Sequence, residues 1–252
     1  MDNPHHIAHW YPTAAYLYVL HLDSLALAWE YLRRHPDYQR DWERGHRRTQ
    51  ATRDATHRWG LRMWEDPTLD ARDAHPAWQP GHAAVMQLYP DDDPPANAVP
   101  FALWRIPGHK HLIHDGERLA LMVCSPGRCR RFALAPGLRD GMAFVYAVRA
   151  GATPPAGFAF DMAQAAPSAM TLPRPRPGAL LELHTLQALD AVLAGASLRE
   201  MAEGLFGADT VAADWHADSA LRARVRRLVR RGNALMRGGY RRLAQLPVLP
   251  LQ

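Results

Sequence analysis

Apolar residues recur at helical spacing near both ends of the chain and break into short runs between them. Near the start, Leu25, Ala28, Trp29 and Leu32 lie three and four apart behind Asp23 and Ser24. Either polar residue can accept a free backbone N–H at a helix N-terminus. His35-Pro36 ends that helix, because the residue before proline disfavours helical dihedrals. Pro36 can then occupy the first position of a second helix, where its missing N–H costs little. In this helix Tyr38 and Trp42, with Gly45 near them, share a side, while Arg40, Glu43, Arg44, Arg47 and Arg48 face water.

The middle of the chain has a different rhythm. Short runs of strand composition, Phe101–Ile106, His111–His114, Arg118–Cys124, Arg130–Leu134 and Ala143–Val148, alternate with glycine and proline. Asp115-Gly116 is a hairpin signal, and Ser125-Pro126-Gly127 pairs the third run with the fourth. The acidic run Pro90-Asp91-Asp92-Asp93-Pro94-Pro95 reads as a solvated loop. A small antiparallel sheet accounts for the region. Pro154-Pro155, Pro167 and Pro173-Arg174-Pro175-Arg176-Pro177 then predict a stiff linker.

Helical periodicity returns at Ala179. Leu180, Leu181, Leu183, Leu186, Leu189, Val192 and Leu193 predict an apolar helix ending at Gly195. Ser197-Leu198-Arg199-Glu200 is a capping box opening a second helix, which Gly207 closes as a left-handed C-cap. After a loop of Ala, Asp and Thr, Asp218 or Ser219 caps a third helix running to Gly238-Gly239. The expected fold class is α+β: helices over 1–75, the small antiparallel sheet over 76–150, a Pro-rich linker over 151–178, and a three-helix variant helix-turn-helix unit over 179–252.

Charge sharpens this picture. The 252 residues carry a net charge of +5. Nine arginines and no Asp or Glu lie between Ser219 and Gln252, so that stretch carries +9 and the rest of the chain −4. On the third helix Leu221, Val225, Leu228, Val229, Leu235 and Met236 gather on one side with Gly232 among them. Arg222, Arg226, Arg230 and Arg237 lie opposite, and Arg224, Arg227 and Arg231 run along a flank. A basic amphipathic helix of this kind fits DNA, an anionic membrane surface or an acidic partner.

Other chemistries find less support. No apolar run approaches the roughly 18 residues needed to span a bilayer, and the N-terminus lacks signal-peptide character, so a soluble cytoplasmic protein without membrane contact is expected. His109, His111 and His114 lie near Cys124 and Cys129, but strand alternation separates His114 from the other two. Ordinary sheet histidines and reduced cysteines are the reading adopted, with no metal and no cofactor. No nucleophile elbow, Walker loop or dinucleotide fingerprint is present, and no catalytic residue is assigned. The aromatics Trp10, Tyr11, Tyr16, Tyr18, Trp29, Tyr31, Tyr38 and Trp42 read as packing between the N-terminal helices.

The run Ser197-Leu198-Arg199-Glu200-Met201-Ala202, followed by Leu205-Phe206-Gly207, Asp214-Trp215, the segment from Leu221 to Leu228, and Gly238-Gly239-Tyr240-Arg241-Arg242-Leu243, resembles the RovC-like DNA-binding domain. The segment from Ala28 to Tyr38, with Trp59-Gly60-Leu61-Arg62 and Asp66-Pro67, resembles a proteobacterial transcriptional-regulator-like domain. The resemblance implies a regulator that acts on double-stranded promoter DNA. Members include a hexameric activator of type VI secretion genes, and activators and antiactivators of integrative and conjugative elements of the FseA and QseM kind. It also implies homo-oligomeric assembly and work beside RNA polymerase. The expected DNA contacts are Ser219, Arg222, Arg224, Arg226, Arg227, Arg230, Arg231, Arg237, Arg241 and Arg242. An antiactivator engaging a regulator or polymerase by protein contact is the alternative.

Overall fold

The computed structural model describes residues 10–46, 53–79, 85–114, 119–125, 128–147 and 175–246. The linker expected over 151–178 lies outside the described residues except at its end.

A 3-10 helix, Thr13–His21, leads into α1 (Ser24–Leu32), where Asp23 accepts the Ala26 N–H at 2.8 Å. The helix α2 (Pro36–Gly45) opens with Pro36 in its first turn and the His35 ring nitrogen accepting the Asp37 N–H. A short α3 spans Arg53–His57. Tyr16, Trp29, Tyr31 and Tyr38 are buried as expected, whereas Tyr11 is exposed.

The sheet holds β1 (Val85–Pro90), β2 (His109–His114), β3 (Leu119–Ser125), β4 (Arg128–Leu134) and β5 (Phe144–Ala147), in the order β2-β3-β4-β1-β5. Four of the expected runs correspond to strands. Phe101–Ile106 does not: a 3-10 turn, Leu103–Arg105, occupies it, with Phe101 and Ile106 buried on either side. Pro100 and Pro107 bracket this run, and the Asp140 carboxylate takes the Leu103 N–H, so little ladder capacity is left. The strand in its place is β1, which pairs parallel with β4 and antiparallel with β5. The sheet is therefore mixed. Its core is Met86, Leu88, Phe101, Ile106, Leu121, Val123, Phe132 and Leu134. The β3–β4 register sets Cys129 opposite Cys124. Cys124 is disulfide-bonded, which corrects the expectation of reduced cysteines; facing positions of antiparallel strands lie within disulfide reach.

The C-terminal helices are α4 (Ala179–Leu193), α5 (Leu198–Phe206), α6 (Ala208–Asp214), α7 (Ala220–Ala234) and α8 (Tyr240–Leu243). They do not stand apart from the N-terminal helices. Trp29, Tyr31, Leu32, Tyr38, Trp59 and Leu61 share one core with Leu183, Leu186, Leu189, Leu235, Met236 and Tyr240.

A buried charge network pins that core. Glu30, fully buried, accepts from Arg33 at 2.8 Å, from the Ala71 N–H at 2.7 Å and from Arg34. Arg34 also donates to Asp190 on α4 at 2.8 Å, and the Tyr16 hydroxyl donates to the same carboxylate at 2.7 Å. Burial pushes both carboxyls up, but Arg33 and Arg34 beside Glu30, and Arg34 beside Asp190, outweigh it and hold both below their ordinary values. The Gln187 amide ties the N-terminal segment to α4 as well, donating to Trp10 O at 3.1 Å and Tyr11 O at 3.2 Å.

The helical body meets the sheet through Arg131 and a histidine cluster. Arg131 on β4 is buried and donates to Gln79 O at 3.1 Å. Burial pulls its guanidinium down to about 10, partly offset by Asp23. His75 stacks on His109 of β2 with centroids 4.3 Å apart, and His111 lies 4.6 Å from His109.

Two outcomes are expected. Asp190→Ala leaves Arg34 short of a partner in the interior and should cost about 3 kcal/mol in urea unfolding. Burial, with His109 adding to it, lowers the pKa of both His75 and His111 from 6.5. The unfolded chain thus binds more protons as pH falls. The stabilisation is complete above 6.5 and is lost as pH descends through the folded-state values. A His75→Gln/His111→Gln variant should show a flatter dependence of its unfolding midpoint between about pH 7.5 and about pH 5.5 than the parent chain.

Candidate nucleic-acid interface

Capping fixes where each C-terminal helix starts. Ser197 Oγ accepts the Glu200 N–H at 3.3 Å, and Glu200 accepts the Ser197 N–H at 2.7 Å, which completes the capping box. Gly207 takes a positive φ of 88° but an extended ψ of 150°, not the left-handed cap expected. It turns the chain directly into α6, a helix where a loop was expected. Asp209 favours its first turn and Val211, fully buried, anchors it. Ser219 then caps α7 by accepting the Arg222 N–H at 3.1 Å.

The helix α7 uses up its apolar stripe against its neighbours. Val225, Leu228 and Gly232 are buried. Val225 joins Met201, Ala202, Val211 and Ala191 in a small core capped by Trp10. At Gly232 a Cβ would sit 3.1 Å from Leu189 Cβ and 3.2 Å from Thr185 O, so the missing side chain sets how closely α7 crosses α4. Past Ala234 the chain winds on through Leu235–Gly239 and kinks at Gly238, whose φ of 143° and ψ of −19° are not helical, before α8 follows. The third helix thus breaks at Gly238, where its end was expected.

The predicted contact residues fall into distinct groups. Arg226, Arg227, Arg230, Arg237 and Arg242 are exposed and form no ion pair with a described acid. Arg224 is exposed with its guanidinium 4.8 Å over the Phe206 ring. Arg231 is ion-paired to Glu182 on α4, whose other oxygen accepts from Tyr31 at 2.7 Å. Arg241 donates to Arg58 O at 3.0 Å. Arg222 is half-buried, and Ser219 is buried with its hydroxyl oxygen engaged as a cap. Glu182 and Arg58 had no signal in the local pattern, because each meets its arginine across a long sequence separation. Among the described residues no cluster of three or more His, Cys, Asp or Glu is arranged to hold a metal ion. None of the described helices is long and apolar enough to cross a membrane.

Residues 148–245, which contain this arginine face, match the family model described as a type VI secretion (T6SS) transcription factor DNA-binding domain, RovC type. The chain carries a RovC-type DNA-binding domain. Residues 9–63 match the proteobacterial transcriptional regulator-like domain, and residues 83–130 match a domain of unknown function. No curated protein matches the chain. The protein is a DNA-binding transcriptional regulator whose DNA-binding domain belongs to a family tied to type VI secretion. The regulator-like match covers the 3-10 helix, α1, α2 and α3.

Seating of α7 on α4 is testable. Gly232→Leu forces a side chain into the Leu189–Thr185 contact and should cost roughly 1–3 kcal/mol, read as a lower thermal midpoint by circular dichroism.

Proposed function

We propose that the protein activates transcription at promoters of type VI secretion or integrative-conjugative-element genes, binding double-stranded DNA as a homo-oligomer beside RNA polymerase. The observation that carries this reading is the outward face of α7. Its apolar stripe is committed to packing, which leaves Arg226, Arg227 and Arg230 exposed with no described acid to neutralise them. Guanidinium groups so placed complement the charge of phosphates, and they offer bidentate donors to guanine edges. Assembly multiplies such contacts by raising the effective concentration of the second and later sites.

The experiment is fluorescence anisotropy of a promoter duplex over a salt series. With about six arginines on phosphates, log K should fall against log salt with a slope of roughly −5. The Arg226→Ala/Arg227→Ala/Arg230→Ala variant should lose binding while its circular dichroism and melting stay those of the parent. Undiminished binding would remove α7 from the interface, and a monomer by light scattering at micromolar concentration would remove the assembly.

A further inference from the structure

Positive charge also accumulates where α8 meets the N-terminal helices, a place no local motif marks. Arg241 bonds Arg58 O at 3.0 Å, and the Tyr240 hydroxyl bonds Trp59 O at 3.3 Å. The Arg58 guanidinium lies 4.7 Å over the Trp59 ring with its side chain 59% exposed. The His35 ring packs edge-on against Trp59, with centroids 4.9 Å apart. Burial lowers the His35 pKa, with Asp37 opposing and Arg58 and Arg237 adding to the fall. Acids facing the cluster are Asp41, which pairs with Arg58 at 3.1 Å, and Asp37, which pairs with Arg40. Among the described residues Asp41 is the acid that pairs with this cluster, and the exposed Arg237 pairs with none.

We infer that Arg58, carried by the regulator-like segment, is a DNA phosphate contact that extends the basic C-terminal surface across the junction through Arg241. This rests on the DNA reading above and adds a second element to it. The occupant is the sugar-phosphate backbone, not a base edge. A guanidinium stacked on a tryptophan face leaves its N–H edge, here paired with Asp41, in a geometry that suits bidentate contact with phosphate oxygens. The Trp59 stack also fixes the side chain in advance, so less rotamer freedom is lost on binding. The Asp41 pair is exposed on the Arg58 side and so exchanges readily for a phosphate.

The test uses the full chain and a duplex of random sequence, with anisotropy recorded over a salt series. Arg58→Ala should weaken binding about threefold to tenfold at roughly 0.1 M salt and make the log–log slope shallower by about 0.9, the share of one phosphate. Arg58→Lys keeps the charge and should retain the parent slope. Arg105→Ala removes one exposed arginine from the sheet region and should change neither quantity. Circular dichroism melting checks that Arg58→Ala remains folded. If the parent chain binds with a salt-dependent slope and Arg58→Ala superimposes on it, Arg58 is not a contact and this inference fails alone. If the parent chain shows no salt-dependent binding, the DNA reading itself fails and takes this one with it.

Discussion

Arg34 places a full positive charge in the interior, and the meeting of the two ends of the chain follows from the need to neutralise it. Glu30, one helical turn away, cannot satisfy a guanidinium alone. Asp190 completes the set from 156 residues further along, and Tyr16 fills the remaining capacity of that carboxylate. Removing a charged group from water costs several kcal/mol unless it is paired and hydrogen-bonded. A network of this kind accepts one arrangement of α1 against α4 and penalises others. Its contribution lies more in specifying the docking than in raw stability.

The same junction gives electrostatics a directional role. Tyr31 holds Glu182, and Glu182 holds Arg231, so a buried hydroxyl of the regulator-like segment is two contacts from the arginine-rich helix α7. The phenols of Tyr16 and Tyr31 are driven well up by burial and by the carboxylates beside them. They stay protonated and serve as fixed donors. Any ligand or partner that shifts α1 would change how firmly Arg231 is held.

Sequence reading recovered what local chemistry encodes. Asp23, Pro36, Ser197 with Glu200, and Ser219 all start helices as expected, because a cap is decided within four residues. The arginine face of α7 was legible for the same reason, since one helix carries both the stripe and its opposite side. Strand β1 was passed over although Met86 and Leu88 point inward between Gln87 and Tyr89. Its parallel pairing with β4 depends on a partner some 45 residues away. Helix α6 offered a single large apolar residue, Val211, too little for a periodicity argument. The shared core and the position of Arg58 were not legible at all. Both depend on contacts between segments more than 100 residues apart, and no spacing rule reaches that far.

The kink at Gly238, within Leu235–Gly239, works as a phase shifter. A residue with non-helical dihedrals interrupts the regular advance of about 100° per residue, so the helices on its two sides need not share one inward direction. Upstream, the inward direction of α7 points at α4 through Val225, Leu228 and Gly232. Downstream, Tyr240, Ala244 and Leu246 point inward at the N-terminal helices instead. Two helices joined at a kink thereby serve two bearings. Gly238, at a backbone angle closed to other residues, is what lets one stretch of chain address both halves of the molecule.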